Sequence, residues 1–331
     1  MCLHLNIDNI NKTIHNIINK NYHNHILVAI SGGQDSMCLI KFMQNLKKQY
    51  KLTKKLIHTE YIYIDHQWKS NSKQQIQHII HYLDSIKEPI SIYQIKDITT
   101  SENQCRIYRY HIIIEHAIKF KKSIIITAHT KTDKIETFFI NLFRGTGIEG
   151  ITSLNVQRKL KQGIDIVRPL ITTTRENSLW TCKEFHMPVW SDTSNYNYHI
   201  ERNRMRYELM PYLKNYFNKK IEYNINYLLK VSYYENEYVK QSVVKLYLNS
   251  IHKKYIGLNH PKIIKQSFII QIKIIKFFLF HNTRYNLQTQ KIIRIIETIK
   301  NYKINSYINF KNLKFYITKN WIYVTIKTNT N

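Results

Sequence analysis

Apolar and polar positions in the first half of the chain change period repeatedly. Residues 26–30, Ile-Leu-Val-Ala-Ile, form an unbroken apolar run, as expected of a strand covered on both faces of a parallel sheet. Residues 35–49 follow, with Met37, Ile40, Met43 and Leu46 at helical spacing. Further strand-like runs at 61–64, 90–95 and 124–127 alternate with helical patterns over 72–86, 104–120 and 131–143. This alternation predicts an α/β domain, a parallel sheet with helices on both faces, which we place at residues 1–216. Residues 217–331 change character: three helical stretches rich in Tyr, Ile and Lys (221–250, 261–280 and 286–300) precede a tail, 306–327, that alternates in short bursts. A smaller, mainly helical C-terminal domain with a short terminal strand or hairpin element is expected there.

The length of 331 residues suits two domains. The formal net charge of +28 leaves two explanations open. Abundant Lys, Asn, Ile and Tyr is what an AT-rich coding sequence produces, and a polyanionic partner would also select Lys and Arg, because cations on the protein release the counterions of phosphates. The first 24 residues are polar, without the apolar stretch of a secretory signal, and the most apolar later run, 268–280, is interrupted by Lys273 and Lys276. No membrane span is expected. The four cysteines, Cys2, Cys38, Cys105 and Cys182, include no C-x-x-C pair, which argues against a zinc ribbon or a dithiol redox site and for a reducing compartment.

The first chemical signal is Ser31-Gly32-Gly33-Gln34-Asp35-Ser36, set between the first strand and the first helix. Two glycines let the backbone turn tightly and approach a ligand. The helix start presents free N–H groups and a positive dipole end to an anion, and Ser31 and Ser36 add hydroxyl donors. Asp35 would repel phosphate, so it makes sense as a magnesium ligand or as a partner of another cation. No Walker A pattern occurs. A second glycine cluster, Gly145-Thr146-Gly147-Ile148-Glu149-Gly150, satisfies G-x-G-x-x-G but follows a helix instead of a strand. It reads as a helix C-terminus and loop.

The Ser31–Ser36 loop resembles the S-G-G-x-D-S signature of the PP-loop superfamily of ATP pyrophosphatases, whose fold is Rossmann-like. Four more segments are similar to the lysidine synthetase family within it. Asp65-His66-Gln67-Trp68 resembles D-H-G-L-R, with Gln67 and Trp68 in place of Gly and Leu and with Lys69 not restoring the Arg in register. Glu102 to Tyr110 matches E-x-x-A-R-x-x-R-Y, with Cys105 for Ala. Ala128-His129 through Asp133 and Glu136-Thr137 to Arg144-Gly145-Thr146-Gly147 follows A-H-x-x-D-D-Q-x-E-T…R-G-x-G, with Thr132 and Lys134 replacing Asp and Gln. Arg168-Pro169-Leu170 and Asp192-Thr193-Ser194-Asn195 lead into Arg202-Asn203-Arg204-Met205-Arg206 and Pro211.

The resemblance implies a reaction. The wobble cytidine of tRNA(Ile) with a CAU anticodon attacks the α-phosphorus of ATP through its C2 oxygen, and pyrophosphate leaves. The ε-amine of L-lysine then displaces AMP, giving lysidine, which reads AUA in place of AUG and accepts Ile in place of Met. It also implies residue roles. Ser31, Gly32, Gly33, Gln34, Asp35 and Ser36 would bind ATP, with Asp35 placing Mg²⁺. His129 and Arg202 would stabilise the α-phosphate. Asp133 and Glu136 would bind lysine, and Arg106, Arg109, Arg144, Arg204 and Arg206 would contact tRNA or nucleotide. A PP-loop tRNA thiolase, an amidating ligase related to GMP synthetase and a non-catalytic RNA-binding relative are the alternatives. A plastid stroma, for a plastid-encoded chain, or otherwise a bacterial cytoplasm fits the composition. The oligomeric state stays open.

Overall fold

The computed structural model describes residues 25–52, 57–67, 72–95, 102–160, 163–190, 198–301, 306–310 and 313–326. Cys2, Trp68 and the segment from Asp192 to Asn195 lie outside them. The chain folds as two compact units, one ending at Leu229 and the other beginning at Lys230.

The first unit alternates strand and helix: β1 (His25–Ile30), α1 (Gln34–Leu52), β2 (His58–Asp65), α2 (Ser72–Ser85), β3 (Ile90–Gln94), α3 (Glu102–Lys119), β4 (Ile124–Thr127) and α4 (Lys131–Phe143). After a single turn, α5 (Ile148–Ile151), come β5 (Gln157–Lys159), β6 (Asp165–Val167), a 3-10 turn at Pro169–Thr172 and α6 (Arg175–Glu184). A nearly continuous helical run closes the unit: α7 (Glu201–Arg204), a π-helical turn at Met205–Leu209, α8 (Met210–Tyr216) and the start of α9 (Ile221–Leu248). The six strands lie in the order β3-β2-β1-β4-β6-β5, and only β5 pairs antiparallel. Helices cover both faces. Ile26 and Val28 gather with Met37, Ile40 and Met43 of α1 and Ile79 of α2 on one side. Leu27, Ile62 and Ile125 gather with Ile113 and Ala117 of α3 on the other. Each such isoleucine contributes roughly 1.5–3 kcal/mol by leaving water. The strand order reverses between β1 and β4, which opens a crevice at their carboxyl ends, where ligands of open α/β sheets bind.

The α/β expectation is met, and β5 and β6 are additions. They have three residues each, too short for a period to show. The expected division at 216/217 differs from the observed one. Ile225 and Leu229 pack with Ile135, Phe138 and Met210, so the first two turns of α9 belong to the first unit.

The second unit contains the rest of α9, β7 (Gly257–Asn259), α10 (His260–Ile264), α11 (Phe268–Thr283), α12 (Thr289–Lys300), β8 (Ser306–Phe310), β9 (Leu313–Ile317) and β10 (Trp321–Ile326). The expected single helix over 261–280 is two. Pro261 opens α10 at its first turn, and the buried Gln271 side chain donates to the carbonyls of Ile264 and Gln266 at 2.9 and 2.7 Å. That side chain serves acceptors freed by the break. The terminal strand element is also larger than a hairpin, because β7 joins it in a four-stranded antiparallel sheet, β7-β10-β9-β8.

Candidate active site

The carboxyl ends of β1, β2 and β4 open onto a cavity of about 400 Å³. Ser31, Gly33, Asp35 and Ser36 form one wall. Gly32 has φ +75°, and a Cβ there would lie 2.7 Å from Ile79 Cδ1, so both the turn and its close approach to α2 require glycine. The Ser31 N–H donates to Ser36 Oγ at 2.9 Å, and the two hydroxyls are 3.0 Å apart. Gln75 Nε2 donates to the Ser31 carbonyl at 2.7 Å, and the Trp190 N–H donates to that of Gly32 at 3.3 Å. Gln34 turns away and donates to the Arg175 carbonyl at 2.9 Å. Gly32 and Gln34 therefore shape the loop from behind, while the first N–H groups of α1 have no acceptor inside the helix.

Five guanidinium groups line the same cavity: Arg106, Arg109, Arg175, Arg202 and Arg206. Against them stand three aspartates, Asp35, Asp65 and Asp133. Burial, with the negative charge of Asp133 second, pushes Asp35 up to about 6. Its Oδ1 is buried without a hydrogen-bond partner. Asp133 is held in a capping box: its Oδ2 accepts from the Thr130 N–H and hydroxyl at 2.7 and 2.8 Å. Burial opposes the Asp133 charge, but these donors, with the positive charge of Arg202, outweigh it and hold the carboxyl below its ordinary value.

Burial lowers His129, and Arg106, Arg168 and Arg202 add to that against the pull of Asp133, so the ring is neutral. Arg106 Nη1 lies 3.4 Å from Nε2, and Thr127 Oγ1 lies 2.8 Å from Nδ1. A guanidinium can only donate, so Nε2 accepts and the ring proton goes to Thr127. Arg109 donates through Nε to His66 Nε2 at 3.0 Å.

Sequence reasoning places several residues differently from the structure. Glu136 is buried and absent from the cavity wall, because Arg206 Nε and Nη2 donate to its Oε1 at 2.8 and 2.6 Å. Expected to bind lysine, it instead holds Arg206 in this structure. Arg144 and Arg204 are exposed away from the cavity and pair with Glu201 at 3.1 Å and Glu208 at 3.4 Å. Arg175 and Gln75 were missed. Arg175 opens α6 behind the Thr174 cap, and its signal was no more than an arginine after a loop; Gln75 had none. The second glycine cluster is the helix end it resembled, with Gly145 at φ +69° and its N–H donating to the Leu142 carbonyl at 3.0 Å. Thr132 and Lys134 do not line the cavity: Thr132 Oγ1 accepts from the Arg175 N–H at 3.3 Å, and Lys134 Nζ donates to Asn226 at 3.3 Å.

Residues 6–213 match the model of the PP-loop domain. A chloroplastic tRNA(Ile)-lysidine synthase of Gracilaria tenuistipitata var. liui is 43% identical over 90% of this chain and 92% of its own. The chain belongs to the tRNA(Ile)-lysidine synthase family. Another member, the chloroplastic enzyme of Pyropia yezoensis, is 33% identical over 93% of this chain and 92% of its own. Among solved structures, a U34-tRNA thiolase of Methanococcus maripaludis, determined with a 4Fe–4S cluster, superposes with a TM-score of 0.55 at 14% identity, covering 70% of this chain and 80% of that one. That likeness extends to the fold alone. The described cysteines of this lysidine synthase family member speak against thiolase chemistry. Cys38, Cys105 and Cys182 are buried, and burial raises the Cys38 thiol and pushes Cys182 up to about 12, far from the thiolate a nucleophile or cluster ligand needs.

Proposed function

We propose that this chain joins L-lysine to C2 of the wobble cytidine of tRNA(Ile) bearing a CAU anticodon, at the expense of ATP cleaved to AMP and pyrophosphate. It is a ligase forming carbon–nitrogen bonds. The observation that carries the reading is a single cavity lined by both kinds of charge. A serine- and glycine-lined helix start and five guanidinium groups suit a triphosphate and an RNA phosphate, while Asp133, kept ionised, suits an ammonium group.

The residues divide the work. Ser31, Gly33, Ser36 and the N-terminus of α1 hold the departing pyrophosphate. Arg106 and Arg202 face the α-phosphate, where charge grows as the cytidine oxygen attacks. His129 is neutral beside them, and an arriving phosphate favours its protonated form. Asp133 orients the lysine amine toward C2, and a carboxylate at that place can take its proton. The cytidine must leave the anticodon stack to enter a cavity of this size. Mg²⁺ fits Asp35, whose Oδ1 lacks a partner. A single carboxylate with phosphate and water oxygens is its usual company, and when bound it would neutralise pyrophosphate oxygens. The chloroplastic relatives support a plastid stroma as the setting, with a bacterial cytoplasm as the alternative. No helix among the described residues is long and apolar enough to cross a membrane.

The deciding experiment is mass spectrometry of the wobble nucleoside after incubation of protein, ATP, lysine and a tRNA(Ile) transcript. A lysine adduct is expected, dependent on all three substrates. Asp133→Asn should raise the KM for lysine at least tenfold with little change in the KM for ATP. An unmodified cytidine with wild-type protein would reject the assignment.

A further inference from the structure

We propose that the open face of the β7-β10-β9-β8 sheet is a stacking platform for unpaired nucleotides of the tRNA, an inference that rests on the chain acting on tRNA. One face of this sheet is core: Leu313, Phe315, Ile317, Ile322 and Val324 are at most 4% exposed. Side chains alternate along a strand, so the residues between them stand on the other face. Register then aligns them. Tyr323 lies opposite Gly257 on one side and Tyr316 on the other, and Tyr316 lies opposite Tyr307. A row of three tyrosines thus crosses the sheet, with glycine at its end.

The row is closely packed, with the Tyr307 and Tyr316 rings tilted and the His252 contacts edge-on. A Cβ at residue 257 would come within 2.9 Å of the Tyr323 ring, so glycine lets that ring lie down across β7. The Tyr307 and Tyr316 rings are 4.9 Å apart at 32°, with Lys314 Nζ 4.2 Å over Tyr307. At the other end, the loop before β7 brings His252 to 4.7 Å from Trp321 and 5.7 Å from Tyr323. Tyr307 and Tyr255 are 57% and 67% exposed. Cross-strand aromatic pairs do stabilise sheets, yet rings so open to solvent bury little.

The charge around these rings selects the occupant. The stretches 251–259 and 306–326 contain lysines, among them Lys253, Lys254, Lys314 and Lys319, and no Asp or Glu. Exposed aromatic rings on stretches that carry lysines and no carboxylate suit nucleobases strung on phosphates. Bases within an RNA duplex are already stacked and hidden, so the fitting partner is single-stranded.

The test uses the full chain and a tRNA(Ile) transcript at fixed salt. Tyr307→Ala and Tyr255→Ala remove rings that hold up no core, so their melting temperatures should match wild type. Each should raise the KM for tRNA on the order of tenfold, the scale of losing one stacked base, with the KM for ATP and for lysine unmoved. Tyr307→Phe, which keeps the π-face, should restore tRNA affinity. A 12-nucleotide single-stranded RNA should compete with tRNA better than a duplex of the same length. Alanine variants within twofold of wild type would overturn the platform, as would equal competition by the duplex, or sedimentation showing a wild-type dimer that the variants lose. If wild-type protein makes no lysidine, the underlying reading fails instead, and the same assay reports this separately.

Discussion

At the scale of single residues, the cavity holds ionisable groups that burial penalises. Asp35 is the clearest case: burial first and Asp133 second lift its carboxyl from 3.8 to about 6. The folded chain therefore holds a proton that the unfolded chain has already released. The sign follows directly: this group's contribution to apo stability falls as pH rises from about 4 to about 6. Binding of a magnesium–nucleotide complex runs the other way, because it needs the ionised form. We expect the affinity for Mg·ATP to rise as pH climbs through about 6 in wild type and to be weak and flat across that window in Asp35→Asn. Calorimetric titration between pH 5 and 8 measures both. A wild-type affinity independent of pH would remove Asp35 from the metal. Gln67 shows a different accommodation. It stands where the family pattern has Gly and adopts φ 56°, a left-handed conformation that costs a side-chain-bearing residue about 1–2 kcal/mol. Its N–H donates to Asp65 Oδ1 at 2.9 Å and its Nε2 to the Ile95 carbonyl at 2.8 Å, bonds that offset the strain.

At the scale of elements, the Glu136–Arg206 fork ties α4 to the π-helical turn and so fixes one guanidinium on the cavity wall. Burial opposes the Arg206 charge, but the Glu136 carboxylate outweighs it and raises the guanidinium above its ordinary value. Removing one partner of a buried pair typically costs about 3–5 kcal/mol. Glu136→Ala should lower the melting temperature on the order of 10 °C. Glu136→Gln keeps an acceptor for Arg206, so it should fold near normally and lose kcat more than KM for lysine. A selective rise in the lysine KM would return Glu136 to the ammonium. Helical periodicity put Asp133 and Glu136 on one face, which is true of position but silent about direction. Asp133 turns back to cap its own helix, and Glu136 turns inward to an arginine 70 residues away. The phosphate loop was legible because an apolar strand, two glycines and a helix start are local features. Gln75 and Arg175 were not, since nothing local says that their helices meet the same crevice. The tyrosine row escaped for the same reason, because alternation shows which residues share a face of one strand and only register sets three strands side by side.

At the scale of the whole molecule, the charge of +28 had two explanations, and its distribution separates them. Coding bias toward Lys acts everywhere alike and has no reason to spare carboxylates in one place. The first unit carries 19 acidic residues among 229, whereas the remaining 102 residues carry three, Glu235, Glu237 and Glu297, against 18 Lys and Arg. Depletion of acid on that side is what a long phosphate backbone would select, since each neutralised phosphate releases counterions and each stray carboxylate repels. The measurable consequence is salt dependence. The logarithm of tRNA affinity should fall steeply and linearly with the logarithm of salt, with a slope reflecting several phosphate contacts. ATP, if held within one cavity of the first unit as proposed, should respond far less. Lys253→Glu with Lys254→Glu should make the tRNA slope shallower by about two units without changing the KM for ATP. A tRNA affinity indifferent to salt between 50 and 200 mM would leave the surplus of lysine to coding bias alone.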